Sequence, residues 1–286
     1  MIRAMNRFLG PIRKILRPVG VAITRPSTLE NLVLSQRELA RIKIFHNFLT
    51  SLRPDAVKSA LRLLADSRSE NFQDMMAMLI LGETGDRFFV EFGATDGIQG
   101  SNSYMMEKAF GWSGILAEPA RCWHAALGRN RAATISHKCV WNVGDIRLPF
   151  RETPDAGFST LEALGDNNRH VSRRIRAELY EVETTTLLQL LYEHNAPKVI
   201  DYLSIDTEGS EFSIVERFDF GQYRPLIATI EHNYGPERIK MISLMSAHDY
   251  VRILPEFSAY DDWFICRTLT DRLHSVLTQE ALHNVR

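Results

Sequence analysis

The sequence predicts an α/β protein with a doubly wound, mostly parallel seven-stranded sheet and an α-helical N-terminal extension. After residue 86, short runs rich in β-branched and aromatic residues alternate with segments of helical period, as in βαβ units. Of the 286 residues, 45% are hydrophobic and 24% are charged, so the chain can bury a large core without a disulfide or metal staple. The predicted strands are 87–92, 114–118, 133–141, 199–206, 226–231, 250–254 and 262–268.

Helical patterns fill the segments between these strands and also precede them. Apolar residues recur at roughly helical spacing over 27–80, and the glycine-containing cluster 82–86 (GETGD) is a strong loop signal. We therefore predict three parts: a basic amphipathic segment (1–26), a helical extension (27–85) and the main α/β domain (86–286). Helices of the main domain are predicted at 103–110, 119–127, 184–194, 210–217 and 236–247.

The first 25 residues carry six basic residues and no acidic one. Their apolar residues recur near the helical period, with interruptions at Pro11 and Pro18. Such a segment can lie in the interface of an anionic membrane, or it can pack its apolar face on the body of the protein. A cleaved organelle presequence is less favoured, because the segment has no serine.

The net charge and the spacing of the cysteines indicate which partners the protein can bind and in which cellular compartment it works. The formal net charge is −1, which argues against nucleic acid as a partner. The three cysteines show no CxxC spacing, and no apolar run approaches the roughly 20 residues of a membrane span. We expect a cytoplasmic protein in a reducing compartment, with peripheral contact at the inner face of the membrane as one option and a homo-oligomer as another.

Four carboxylates lie at or near the ends of four predicted strands: Glu91, Glu118, Asp206 and Glu231. In open α/β sheets, ligands bind outside the carboxyl ends of the strands. Carboxylates accept hydrogen bonds and donate none, so this set suits a hydroxyl-rich ligand or a cation.

The loop after the first strand predicts the kind of cofactor. Gly93 and Gly97 allow tight turns, but Asp96 would repel the pyrophosphate of a dinucleotide. Glu118, at the next strand end, is placed to accept a ribose diol. The pattern therefore favours a nucleoside cofactor without phosphate, such as S-adenosylmethionine.

Four segments resemble a known family: FFVEFGATDGIQGSNSYMMEK (88–108), GILAEP (114–119), VETTTLLQLL (182–191) and IDYLSIDTEGSEFSIVERF (200–218). They are similar to FkbM-type methyltransferases, a branch of the class I S-adenosylmethionine-dependent methyltransferases, over roughly residues 86–268. The resemblance implies a Rossmann-like class I fold, S-adenosylmethionine as cofactor and S-adenosylhomocysteine as product. It also implies methylation of hydroxyl groups, often on sugars of surface glycans.

The resemblance also implies roles for individual residues. Glu118 would hold the ribose, Val140 and Trp141 would lie near the adenine, and Asp206 would contact the cofactor or the acceptor. Thr95 departs from the glycine that many class I enzymes have there. The residues expected on the methionine side, with the loop alanine between them, are Glu91, Gly93, Ala94, Asp96, Gly97 and Asn102.

Methyl transfer to a sugar hydroxyl needs a base or a metal, because the hydroxyl must lose its proton. His232 is the first candidate base, and the alternative is a structural histidine bonded to backbone. Asp206 and Glu208 are further catalytic candidates. These three residues and Glu231 form a possible divalent-metal set; alternatively, Asp206 and Glu208 shape the turn before the next helix.

The stretch 145–180 is an insertion before the helix predicted at 184–194. Long segments of this kind are often lids or binding loops. We expect acceptor contacts from Phe158, Ser159 and Arg169, together with Glu231. The alternative is a solvated helix over 171–180.

These observations predict an O-methyltransferase acting on a sugar hydroxyl of a surface glycan or lipid-linked saccharide. Two alternatives come from other classes. One is a metal-dependent glycosyltransferase that uses a nucleotide sugar. The other is a non-catalytic binding module on the same fold, because fold does not imply function.

Overall fold

The computed structural model describes residues 29–153, 156–164, 177–283 and 285. The basic segment 1–26 therefore lies outside the described residues. Among the residues described, no helix combines the length and the apolar character needed to cross a membrane.

The helices and strands alternate through most of the described chain. The helices are α1 (Leu29–Ser51), α2 (Pro54–Leu63), α3 (Gln73–Leu81), α4 (Tyr104–Phe110), α5 (Arg121–Asn130), α6 (Leu187–Glu193), α7 (Glu211–Val215), α8 (Arg238–Ala247), α9 (Thr270–Val276) and α10 (Gln279–His283). The strands are β1 (Phe88–Phe92), β2 (Ser113–Ala117), β3 (Thr134–Ser136), β4 (Cys139–Val140), β5 (Arg147–Glu152), β6 (Thr160–Leu161), β7 (Glu178–Thr185), β8 (Val199–Ile205), β9 (Arg224–Glu231), β10 (Tyr250–Ile253) and β11 (Asp261–Cys266).

Seven strands form the main sheet in the order β10-β11-β9-β8-β1-β2-β3. The strands from β9 to β3 are parallel, and β11 runs antiparallel to both of its neighbours. The predicted doubly wound, mostly parallel seven-stranded sheet is thus confirmed. The chain winds outward from β1 to one edge and from β8 toward the other. The boundary between β1 and β8 is therefore a topological switch point, where α/β sheets bind ligands.

A second, four-stranded sheet in the order β4-β7-β5-β6 was not predicted. The predicted strand 133–141 is divided between the two sheets, as β3 and β4. The predicted helix 184–194 begins only at Leu187, because Thr186 caps it in a reciprocal capping box with Gln189. The residues before Thr186 belong to β7. In β5, a proline and several charged residues hide the strand signal, so the insertion reads as a loop in the sequence.

Helices cover both faces of the main sheet. On one face, the helical extension packs against the sheet in a single apolar cluster that also takes in α9 and α10. On the other face, α6, α7 and α8 pack in a second cluster. Members of the first cluster include Phe48, Met75, Met78, Phe89, Tyr202 and Trp263. The boundary at residues 85 and 86 stays a prediction, but the side chains on either side of it share one core.

Arg131, just after α5, holds the loop that follows β1. Its buried guanidinium donates to Glu107 Oε2 at 2.7 Å, to the Gly97 carbonyl at 3.1 Å, and to Ser101 and Ser103 Oγ at 3.0 and 2.9 Å. One side chain therefore joins α5, α4 and the loop.

Replacement of Arg131 by Met should lower the free energy of unfolding by about 3–5 kcal/mol, because the Glu107 carboxylate loses its buried partner. Urea unfolding measures this change. The exposed Arg129, in the last turn of α5, is the matched control, and Arg129→Met should stay within about 0.5 kcal/mol of the wild type. Equal effects from the two substitutions would contradict the assigned role of Arg131.

Candidate active site

A cleft opens at the C-terminal ends of β1, β2 and β8, on the side where the four-stranded sheet covers the main sheet. It encloses about 640 Å³, part of it open to solvent. The predicted site residues that line it are Gly93, Glu118, Val140, Ser159, Asp206 and Glu208. Residues that sequence reasoning missed also line it: Phe92, Thr95, Ala117, Pro119, Cys139, Phe150, Gly157, Thr160, Leu161, Thr207 and Ser210.

Gly93 stands at the switch point, where the loops after β1 and β8 meet. Its φ is +74°, and its N–H donates to the Ala117 carbonyl at 3.1 Å. A Cβ atom at this position would lie 2.1 Å from the Asp206 carbonyl oxygen. Only glycine permits this approach of two backbones, and the approach brings Asp206 to the floor of the cleft.

Glu91 and Asp96 shape the loop after β1 and are not among the residues that line the cleft. The buried Glu91 carboxylate accepts hydrogen bonds from Ser101 Oγ, from the Asn102 N–H and from Ser103 Oγ. Asp96 Oδ1 accepts from the N–H groups of residues 98 and 99, at 2.8 and 2.9 Å. Both carboxylates thus stabilise the conformation of the loop, whereas the family resemblance led us to expect them on the methionine side of the cofactor.

The other predicted loop residues also serve packing. Gly97 has φ +79°, and a Cβ there would lie 2.7 Å from Leu127 Cδ1. Ala94 is buried. Asn102 donates through Nδ2 to Ser204 Oγ at 2.9 Å, while its buried Oδ1 has no hydrogen-bond partner among the described residues.

Glu118 is 4% exposed and lies against the cleft. Its Oε2 accepts from the Thr95 N–H at 2.8 Å, and its Oε1 accepts from the Ala120 N–H at 2.8 Å. Thr95 makes this contact with a φ of +47°. Glycine adopts a positive φ more readily than threonine, which explains why glycine suits this position. Burial raises the pKa of Glu118 to about 7, although the two backbone donors oppose the shift.

Val140 and Trp141, both expected near the adenine, lie in different places in the structure. Val140 lines the cleft, whereas Trp141 packs on the small apolar cluster of the four-stranded sheet, where Phe150 and Leu161 are buried. The backbone N–H of Trp141 donates to the Thr185 carbonyl at 2.8 Å. Phe150 and Leu161 reach the cleft from that sheet; they were missed because the sequence does not show which strands fold over the site.

Asp206, Glu208 and Glu231 form a carboxylate group whose oxygens lie within 4.8 Å of one another. Asp206 opens to the cleft, and its carboxylate lies close to that of Glu231. Removal of water around Asp206 and Glu231 raises the pKa of both side chains well above the ordinary value, and each raises the other further. The two carboxyl groups therefore ionise less readily together than either would alone.

Glu211 orders the turn that carries this group. Its buried Oε1 accepts from the N–H groups of Thr207 and Gly209, both at 3.0 Å. Glu208 adopts φ +60° in the turn, and its carbonyl accepts from Thr160 Oγ1 at 3.2 Å. Glu211 belongs to the segment 200–218 that resembles the family. Only the fold shows that its carboxylate caps the backbone N–H groups of the turn just before it.

His232 does not have the geometry of a base. The Tyr234 N–H donates to Nδ1 at 2.9 Å, so Nε2 carries the proton and donates to the Asp261 carbonyl at 3.1 Å. Burial lowers the pKa of His232 to about 4, and His232 is absent from the described residues that line the cleft. The structure favours the alternative stated above, a structural histidine, and it leaves His232 outside the carboxylate group.

The residues of the insertion that were predicted to bind the acceptor differ in their position relative to the cleft. Ser159 lines the cleft, and its Oγ accepts from the Thr153 N–H at 3.1 Å. Phe158 ends a 3₁₀ turn and is not among the lining residues. Arg169 and most of the alternative helix 171–180 lie outside the described residues, and 178–180 are part of β7.

The helical extension reaches the same end of the sheet. Gln73, the first residue of α3, donates through Nε2 to Asp261 Oδ2. Asp261 pairs with Glu231 in the register of β11 and β9, and burial raises the pKa of Asp261 to about 7. No local pattern in the sequence predicts a contact across 188 positions.

The cleft lies at the switch point of a Rossmann-like α/β sheet. The family model described as "Methyltransferase FkbM domain" matches residues 91–270. The chain therefore belongs to the FkbM methyltransferase family, which supports a function in methyl transfer. A search of curated protein sequences finds no match.

Two solved structures are similar at low identity. A methyltransferase FkbM from Methylobacillus flagellatus KT is 13% identical, with a TM-score of 0.39, over 79% of this chain and 58% of that chain. The chain thus spans little more than half the length of that protein. A fibrillarin/Nop5p complex matches at 12% identity and a TM-score of 0.33, over 67% of this chain and 79% of that chain.

Gly93→Ala should destabilise the protein by at least about 2 kcal/mol, because the added Cβ meets a backbone carbonyl at a positive φ. Gly128, in α5, has no atom within 4 Å of an added Cβ. The control Gly128→Ala should therefore stabilise the protein by about 0.5–1 kcal/mol. Thermal unfolding of both variants measures the difference, and a neutral Gly93→Ala would show that the two loops do not meet as described.

Proposed function

We propose that the protein is an S-adenosylmethionine-dependent O-methyltransferase whose acceptor is a sugar hydroxyl of a surface glycan or lipid-linked saccharide. The observation that carries the cofactor assignment is the placement of Glu118. Each of its oxygens accepts one backbone N–H and retains a lone pair. Two vicinal hydroxyls of a ribose can therefore bind side by side on one fixed carboxylate.

The rest of the cleft suits the remaining parts of S-adenosylmethionine. Val140, Phe150 and Leu161 give an apolar wall for an adenine ring beside Glu118, and Asp206 gives a carboxylate for a positive centre. No lysine or arginine occurs among the described residues that line the cleft. A nucleotide sugar would bring a diphosphate against several carboxylates, so this lining argues against the glycosyltransferase alternative.

The bound cofactor supplies a methyl group activated by a sulfonium. The protein has to hold the acceptor oxygen in line with that methyl group, at about 3–3.5 Å. It also has to accept the hydroxyl proton. We assign the proton to Asp206, with Glu231 beside it, in place of His232. Asp206 lines the cleft, and a carboxylate whose pKa is raised is a stronger base than an ordinary aspartate.

The same carboxylates are the oxygen ligands that a divalent cation prefers. We assign a proton and not a cation to the pair, because the pKa of both carboxyl groups is raised well above the ordinary value and a metal ligand has to be deprotonated. Methyl transfer should therefore persist in EDTA, and loss of activity that Mg²⁺ or Mn²⁺ restores would reverse this assignment.

The binding of S-adenosylhomocysteine should depend on pH through Glu118. A diol binds the ionised carboxylate better, and the pKa of Glu118 is about 7 in the free protein. The dissociation constant should therefore fall by up to about tenfold per pH unit as the pH rises toward 7, and level off above it. Calorimetric titration from pH 5.5 to 8.5 measures this. Glu118→Gln should bind more weakly and with a flat pH profile; a wild-type profile in Glu118→Gln would contradict the ribose contact.

The chemistry is tested with radiolabelled S-adenosylmethionine and a panel of lipopolysaccharides and lipid-linked saccharides. The expected product is a methyl ether, stable to mild alkali, heavier than its acceptor by one methylene. Asp206→Asn should lower kcat by about 10²–10⁴, whereas Asp219→Asn, at an exposed site remote from the cleft, should leave it unchanged. Cofactor binding without any product would favour the binding-module alternative, and nucleotide-sugar binding alone would favour the glycosyltransferase.

A further inference from the structure

Two histidines stack on one another beside the backbone of Glu118. The ring centroids of His124 and His137 lie 3.6 Å apart, with an interplanar angle of 27°. His124 is half-buried in the first turn of α5, and His137 is exposed directly after the last residue of β3. We call these two side chains the histidine stack. It joins the start of α5 to the end of β3.

The histidine stack supplies a hydrogen bond beyond the end of the sheet ladder. The last pair in the register of β2 and β3 is Ala117 with Ser136. The Glu118 N–H still donates to the Ser136 carbonyl, at 3.0 Å. The Glu118 carbonyl lies past this ladder, and it accepts from His124 Nε2 at 3.0 Å. The peptide groups on both sides of Glu118 are therefore fixed.

This hydrogen bond determines which ring nitrogen of His124 carries the proton. A carbonyl oxygen only accepts, so Nε2 is the protonated nitrogen. Burial lowers the pKa of His124, and the neighbouring His137 ring lowers it further. His124 is therefore an uncharged donor at neutral pH, and the stacked ring of His137 holds its plane.

The four-stranded sheet fixes the turn of α5 that carries His124. Tyr180 Oη, on β7, accepts from the Arg121 N–H at 3.0 Å and donates to Glu152 Oε2 at 2.6 Å. Glu152, on β5, also accepts from the Cys122 N–H at 3.3 Å. The same sheet covers the cleft, so the start of α5 has a fixed position relative to the cleft.

We propose that His124 is a positioning residue for Glu118, an inference that rests on the proposed function and identifies what orients its ribose carboxylate. The carboxylate accepts from the N–H groups of Thr95 and Ala120, and both contacts require that the Glu118 backbone keep its orientation. His124 fixes that backbone on its carboxyl side. A carboxylate that binds two hydroxyls at once tolerates only a small displacement, so loss of this support weakens cofactor binding.

Two substitutions of His124 separate its hydrogen bond from its stacking. His124→Phe keeps an aromatic ring beside His137 but has no donor, whereas His124→Gln keeps an N–H donor and loses the ring. His124→Phe should raise the dissociation constant of S-adenosylhomocysteine by about three- to tenfold, the size of one hydrogen bond. His124→Gln should restore most of the affinity. Calorimetric titration measures both, and His274→Phe, at an exposed residue of α9, is the control that should have no effect.

A double-mutant cycle distinguishes positioning from a general structural role. If His124 acts through Glu118, His124→Phe should weaken binding by less than about twofold when Glu118→Gln is already present. Full additivity of the two substitutions would contradict the proposal, because His124 would then act on the cofactor site independently of Glu118.

The amide protons of Thr95 and Ala120 report the position of Glu118 without any ligand. Both amides donate to its carboxylate, so weaker hydrogen bonds should move their NMR signals upfield in His124→Phe. The same signals should stay near their wild-type positions in His124→Gln and His274→Phe. Unchanged signals in His124→Phe would show that His124 does not orient the carboxylate.

The two measurements separate this inference from the proposed function. Failure of the wild type to bind S-adenosylhomocysteine would overturn the proposed function, and the amide signals would still test whether His124 orients Glu118. Equal dissociation constants for the wild type and His124→Phe, in a protein that binds S-adenosylhomocysteine, would overturn this inference alone.

Discussion

The approach of two backbones at Gly93 and Asp206 is the contact on which the site depends. It fixes the separation of the loops after β1 and β8 at the switch point, and it leaves no room for a side chain on the first loop. Through the Thr95 N–H, the same loop orients Glu118, directly after β2. Carboxylates from neighbouring strand ends thus face one cleft, in positions set by backbone atoms and not by flexible side chains.

The second constraint is electrostatic. Several carboxylates share a region from which water is largely excluded, so they cannot all be ionised at once. The protein limits the cost in two ways: backbone N–H groups satisfy Glu118 and Glu211, and the raised pKa of Asp206 and of Glu231 favours the uncharged form of these side chains.

Local patterns in the sequence predict the parts of this protein that local physics determines. The alternation of strands and helices predicted the main sheet, and residues at strand ends predicted that Glu118 and Asp206 would meet at one edge. Features that depend on contacts between distant parts of the chain could not be predicted. Whether His232 accepts a substrate proton or a backbone hydrogen bond depends on where Tyr234 and Asp261 lie. The four-stranded sheet depends on pairing between β5 and β7, whose polar, half-exposed strands carry a weak hydrophobic pattern.

The contact between Gln73 and Asp261 has a consequence for how the chain is divided. The FkbM match begins at residue 91, yet a side chain from α3 donates to a carboxylate beside Glu231. The helices before β1 also bury one face of the sheet. Recombination that exchanged the segment before β1 between two such proteins would alter both the core and the hydrogen-bond partner of Asp261. The helical extension and the matched domain therefore cannot be exchanged independently of one another.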